Sequence, residues 1–120
     1  MTFYHFTSKK NAKKIKKEGL TKGVTLLKNG LIGKTQWLTV NPDVEQYGIK
    51  GVLKIINRQE ARITVTIPKH LEPNLMSFDE FCNKHKNNLP DYFDTQKDIT
   101  KDWYVFIGEI SPVWLKIRIY

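Results

Sequence analysis

Cysteine is almost absent from this chain of 120 residues, and no apolar run approaches the roughly 18 residues that a membrane span needs. The single cysteine, Cys82, excludes an internal disulfide and a zinc site built from cysteines. The three histidines, His5, His70 and His85, show no spacing typical of metal ligands. The first residues lack the charged and apolar regions of a secretion signal. We therefore expect a soluble, cytoplasmic protein without a bound metal.

Acidic residues are also scarce. The chain has 20 Lys and Arg against 12 Asp and Glu, which gives a formal net charge of +8. This excess favours polyanionic partners, namely nucleic acid, nucleotides or an acidic protein, and does not choose among them. The sequence contains neither the Gly-x-x-x-x-Gly-Lys-Ser/Thr phosphate loop nor a Gly-x-Gly-x-x-Gly turn after a strand. A nucleotide site would therefore have to be built in another way.

The apolar residues of the chain are sufficient for one hydrophobic core. Apolar residues make up 40% of the chain, three of them tryptophans, and no repeat or linker divides it. We expect a single domain over residues 1–120. The order of the predicted elements favours an α+β fold with a mostly antiparallel sheet and two main helices.

The first predicted elements are a strand and a basic helix. Strand formers occupy Thr2–Phe6, and Thr7 or Ser8 can then cap a helix that runs to about Glu18. Gly19 follows as a left-handed stop.

Later elements follow from alternation and capping signals. Four further strands are predicted: Gln36–Val40, Arg62–Ile67, Trp103–Ile107 and Trp114–Tyr120. A Ser-x-x-Glu capping box at Ser77 predicts a second helix over Phe78–Lys86. Segment Thr21–Thr35 is predicted to be a loop with room for a short hairpin, and Pro90–Asp102 a surface connection.

The chain resembles a known superfamily at both ends. Tyr4-His5-Phe6-Thr7, the helix end Glu18-Gly19-Leu20 and the strand Trp37-Leu38-Thr39 resemble the opening of ADP-ribosyltransferase-like proteins, which include DarT-type DNA ADP-ribosyltransferases and RNA 2′-phosphotransferases. The ending Trp103–Pro112 is similar to the closing strands of small phage and bacterial members. The resemblance implies a compact ADP-ribosyltransferase-like fold, NAD or an NAD-derived nucleotide as ligand or substrate, and transfer of ADP-ribose to a macromolecular acceptor.

The resemblance also implies two catalytic residues. A strand histidine in a similar setting contacts the NAD ribose in that superfamily, which gives His5 this role; a half-buried place in the core is its alternative. Glu109 is the only carboxylate in the closing strands, and it would hold the nicotinamide ribose and stabilise positive charge as nicotinamide leaves. Its surroundings do not match the Gln-x-Glu or Glu-x-Glu pattern of many toxins, and an exposed turn residue is the alternative.

Aromatic and hydroxyl side chains complete the predicted ligand site. Tyr47, in a short helical piece predicted after Asn41-Pro42-Asp43, could stack on an adenine or nicotinamide ring. Trp37 is the second choice for stacking, since strand tryptophans are more often part of the core. The predicted cofactor-binding set is Tyr4, His5, Thr7, Trp37, Thr39 and Tyr47.

The basic helix supplies the predicted contact with an acceptor. Its lysines are Lys9, Lys10, Lys13, Lys14, Lys16 and Lys17. They would recruit nucleic acid or an acidic protein; the alternative is an ordinary solvated helix face, which needs no ligand to explain it. Two other functions stay open: a non-catalytic protein of the same fold that binds a nucleotide or NAD derivative, such as a phage counter-defence protein, and a basic nucleic-acid-binding protein that does no chemistry.

Overall fold

The computed structural model describes residues 1–42, 60–89 and 100–120. The strands are β1 (Thr2–Thr7), β2 (Val24–Leu27), β3 (Gly30–Gly33), β4 (Thr35–Thr39), β5 (Ala61–Thr66), β6 (Leu75–Ser77), β7 (Trp103–Ile107) and β8 (Leu115–Ile119). The α-helices among these residues are α1 (Lys9–Glu18) and α2 (Phe78–Lys84). Short 3-10 segments occupy Lys69–Asn74, Thr100–Asp102 and Pro112–Trp114.

In the described part of the chain, six strands form one sheet in the order β6-β7-β4-β1-β5-β8, and β2 and β3 form a separate hairpin. Every pairing in both is antiparallel. The α+β class and the mostly antiparallel sheet are therefore confirmed. Strand β1, which carries the predicted ligand residues, lies near the middle of the sheet between β4 and β5.

The signals at the ends of α1 behave as predicted. Ser8 is the N-cap, and its hydroxyl accepts a hydrogen bond from the Asn11 backbone N–H at 3.1 Å. The helix ends at Gly19, whose φ is 84° and ψ is −172°. This backbone conformation is essentially restricted to glycine, because a side chain would clash with its own backbone.

The sheet has a core on each face. On the face covered by α1, here called the α1 face, the core consists of Phe3, Leu20, Leu38, Ile63, Val65, Ile67, Phe106 and Ile110. On the opposite face, here called the α2 face, Phe78 and Phe81 of α2 pack with Leu27 and Val105. Residues Ile63, Val65 and Ile67 are buried, which confirms the alternation predicted for this strand.

Helix α2 begins as the capping box predicts. The Ser77 hydroxyl accepts from the Glu80 backbone N–H, and the Glu80 carboxylate accepts from the Ser77 N–H. The helix ends at Lys84, two residues before the predicted end.

Other boundaries differ from the predictions. Strand β4 runs one residue earlier than predicted, and β8 is shorter at both ends. The glycine-punctuated segment does contain a short hairpin, β2–β3, for which the prediction left room. Strand β6 and the 3-10 segments Lys69–Asn74 and Pro112–Trp114 were not predicted, because segments of three to six residues are too short to show a period.

Replacing Gly19 by alanine should destabilise the fold. A Cβ at Gly19 would collide with the Ile110 carbonyl oxygen, and its positive φ adds strain. We expect a loss of about 2–4 kcal/mol in the free energy of unfolding, measured by urea denaturation. Gly33→Ala is the matched control, because a Cβ there meets nothing within 4 Å. Equal stability of the two variants would contradict the close approach of Gly19 to Ile110.

Candidate functional site

A pocket of about 200 Å³ opens between β1, α1 and the segment Gly19–Gly23, here called the connecting segment. Its floor contains a histidine and a threonine of β1, an amide of β4 and a leucine of the connecting segment: His5, Thr7, Gln36 and Leu20. Its rim consists of exposed polar and charged side chains: Asn11, Lys14, Glu18 and Lys22. The pocket thus has a largely buried floor and a solvated, charged rim.

The strand period brings His5 and Thr7 together. Alternate residues of a strand point to the same face, and both residues line the pocket on the α1 face. Thr7 is only 4% exposed, whereas His5 is half-buried. The prediction that they share a face is confirmed.

The His5 ring is oriented by the neighbouring strand. Its Nδ1 lies 2.9 Å from the Trp37 carbonyl oxygen. Because a carbonyl oxygen can only accept, this hydrogen bond requires the proton on Nδ1, and the neutral ring then keeps Nε2 as an acceptor.

The wall of the pocket opposite β1 is the connecting segment, and backbone hydrogen bonds hold it. Leu20 and Ile110 exchange two N–H···O bonds of 2.9 and 3.0 Å. Further along, the Thr35 N–H donates to the Gly23 carbonyl at 3.1 Å. The carboxy-terminal part of the chain thus shapes the pocket through Ile110.

Gln36 ties this wall to the sheet. Its side chain is 2% exposed; its Oε1 accepts from the Gly23 N–H at 3.3 Å and its Nε2 donates to the Gly108 carbonyl at 3.0 Å. Both ends of the amide are therefore used by the fold. Gln36 is not among the residues predicted from the sequence. The signal that could have identified it is a polar residue at an inward-facing position of a strand face that is otherwise apolar.

The rim carries the charge of the pocket. Asn11, Lys14 and Glu18 are spaced three and four residues apart on α1, which places them on one helix face. With Lys22, the rim offers two ammonium groups and one carboxylate. Among the described residues no ion pair joins Glu18 to either lysine. The helical spacing of these residues could have identified the rim from the sequence, but of its four residues only Lys14 was predicted as a contact.

Glu109 does not share this pocket. It is exposed, follows Gly108 with its φ of 128°, and forms an ion pair with Lys34 at 3.4 Å. Its neighbour Ile110 turns inward to the connecting segment. Of the two residues predicted to be catalytic, the structure therefore places His5 in this pocket and Glu109 outside its lining.

Three other predicted ligand residues lie on the α2 face. Tyr4 pairs with Thr39, and Trp37 lies two residues along β4 from Thr39, so all three point away from the pocket. The Trp37 ring packs against aromatic rings of α2 and β7, and its Nε1 donates to the Thr25 hydroxyl at 2.8 Å. The Thr39 hydroxyl accepts from the backbone of the residue two positions on. The structure therefore does not bring these three side chains together with His5 in the pocket.

The remaining predicted residues divide as follows. Tyr47 lies outside the described residues. The lysines of α1 are exposed, as a solvated or acceptor-binding face requires: Lys9, Lys10, Lys13, Lys14, Lys16 and Lys17. Only Lys14 among them lines the pocket.

The described parts of the chain hold no cluster of three or more His, Cys, Asp or Glu side chains that could bind a metal ion. No helix in these parts is long and apolar enough to cross a membrane. Comparison of the chain with protein-family models, curated proteins and solved structures found no match in any of the three.

Proposed function

We propose that the chain binds a nucleotide, either NAD or an NAD-derived nucleotide, in the pocket between β1 and α1. The observation that carries this proposal is that one pocket joins His5 and Thr7 on its floor with two lysine ammonium groups on its rim. Imidazole and hydroxyl groups suit sugar hydroxyls, and ammonium groups suit phosphates. The resemblance of the opening residues to ADP-ribosyltransferase-like proteins supports the same ligand.

The size of the pocket limits how such a ligand would lie. A volume of about 200 Å³ is below the roughly 300–1,000 Å³ of most small-molecule sites. One sugar with its base would enter, and the rest of a dinucleotide would extend over the rim. Lys14 and Lys22 stand at that rim, where a diphosphate would meet them.

Removing the floor groups should weaken binding of the nucleotide. We expect His5→Ala, and Thr7→Val with nearly unchanged side-chain volume, each to raise the Kd for NAD or ADP-ribose at least about tenfold in isothermal titration calorimetry, because each removes one hydrogen bond to the sugar. His70→Ala is the control, since His70 is exposed and does not line the pocket. Equal heats in wild type and both variants, or no heat with wild type, would contradict the proposal.

ADP-ribosyl transfer is the second candidate function, and Glu18 favours it. In this reaction the bond between the ribose C1′ and nicotinamide breaks, nicotinamide leaves with the electron pair, and an acceptor nucleophile attacks C1′. A carboxylate beside the ribose would stabilise the positive charge that develops there. Among the described residues, Glu18 is the carboxylate that lines the pocket, whereas Glu109 is paired with Lys34 outside it.

Nicotinamide release from NAD separates the two carboxylates. If the chain is a transferase, Glu18→Gln should lower the rate by at least about 100-fold while leaving NAD binding intact, because only transition-state charge stabilisation is lost. Glu109→Gln should leave the rate unchanged. Loss of release in Glu109→Gln alone would exclude the role of Glu18. No release by the wild type, together with normal binding, would show a non-catalytic nucleotide-binding protein.

The exposed lysines of α1 favour a polyanionic acceptor, or nucleic-acid binding as a function in itself. Replacing Lys13, Lys14, Lys16 and Lys17 by Glu should abolish association with DNA or RNA, and the salt dependence of binding should flatten, because fewer counterions are released. The matched control makes the same change to Glu at four other exposed lysines that lie outside α1: Lys69, Lys84, Lys86 and Lys101. Equal loss of affinity in both variants would show an effect of net charge without a role for this helix.

A further inference from the structure

A second concavity, unrelated to the nucleotide pocket, lies between α1 and the edge strand β8. Its volume is about 490 Å³. The floor is apolar and includes Leu115, Ile117 and Ile119 of β8, and Lys13 and Lys16 of α1 stand at its border. We call this concavity the edge groove. It shares no lining residue with the pocket that contains His5, and its two border lysines also belong to the basic surface of α1.

Among the described residues, β8 is an edge strand of the sheet. It is the last strand in the order β6-β7-β4-β1-β5-β8, and among the described residues no strand pairs with its outer side. The opposite edge, β6, has only three residues and continues directly into α2. A five-residue edge beside an apolar groove can accept an added strand, whose alternate side chains would enter the groove.

The two faces of β8 differ in chemistry. Leu115, Ile117 and Ile119 line the edge groove, so the alternating Lys116 and Arg118 point to the α2 face, where both are exposed. An added strand would therefore meet apolar side chains on one face and two cations on the other. The lysines of α1 add further positive charge at the border of the groove.

The cations of β8 and α1 indicate which kind of molecule the edge groove can bind. A second copy of this chain paired through β8 would place Lys116 and Arg118 beside the same cations of its partner, and like charges opposite each other in a sheet are destabilising. A nucleic acid would meet the cations but would leave the apolar floor and the regular backbone donors and acceptors of the edge unused. A segment that alternates apolar and acidic residues satisfies all three features.

We propose that the edge groove binds an extended segment of a partner protein, with alternating apolar and acidic residues, as a strand added to β8. The apolar side chains of the segment fill the groove between α1 and β8. Its carboxylates face Lys116 and Arg118, and its backbone pairs with the outer side of β8. The edge is thus a recognition surface of the chain, and its cations also suppress pairing between copies.

The test uses a capped synthetic heptapeptide that alternates valine and glutamate. We expect binding with a Kd on the order of 10–500 μM by NMR titration, together with slower hydrogen exchange of outward-facing β8 amides, since pairing protects them. The control peptides replace glutamate by lysine, or group the valines and glutamates in two blocks, and neither should bind. No protection of β8 amides at saturation, or equal binding of the block peptide, would overturn the proposal.

A charge exchange keeps the test independent of folding defects. The double variant Lys116→Glu and Arg118→Glu changes two exposed side chains and leaves the groove intact. Its affinity for the glutamate peptide should fall at least about tenfold, and its affinity for the lysine peptide should rise. The reason is that opposite charges now face each other with the lysine peptide and like charges with the glutamate peptide. An unchanged preference would overturn the proposal. Protection of β8 by self-association without peptide, or displacement of the peptide from β8 by single-stranded DNA, would assign the edge to a second copy or to nucleic acid instead.

Discussion

The connecting segment can follow its path because glycine stands at both of its ends. A Cβ at Gly19 would collide with the Ile110 carbonyl oxygen, and one at Gly23 with the Thr35 carbonyl oxygen. Without side chains at these points, the end of α1 comes close enough to exchange backbone hydrogen bonds with Ile110. The end of α1, the start of the hairpin and the carboxy-terminal strands are thereby fixed against one another. The pocket over His5 is the space that remains between this wall and β1.

Strand β1 separates two environments. On its α1 face His5 and Thr7 line the pocket. On its α2 face the guanidinium carbon of Arg62 lies 5.3 Å from the centroid of the Tyr4 ring. The hydrogen bond from His5 to the Trp37 carbonyl orients the imidazole through the backbone of β4. The indole of that same residue packs in the core on the other side of the sheet. Orientation of the site and packing of the opposite core therefore share one strand.

The features that could be predicted from the sequence are local. The Ser8 cap, the glycine stop at Gly19 and the Ser77 capping box each depend on neighbouring residues and on known backbone preferences, and each is confirmed. Adjacency in the sheet depends on register between strands that are distant in sequence. For that reason the face of Trp37, and the separation of Glu109 from His5, could not be derived from the order of residues.

The pocket divides its tasks between floor and rim. Gln36 and the connecting segment are tied to the backbone, so substitutions there disturb the fold. The side chains of Asn11, Lys14, Glu18 and Lys22 stand in solvent, and exposed positions of this kind tolerate exchange at a cost within about 0.5 kcal/mol. Natural selection can therefore retune what such a cavity accepts by trading surface charges alone. The charges around the pocket can thus change over evolution while the backbone that forms its wall stays the same.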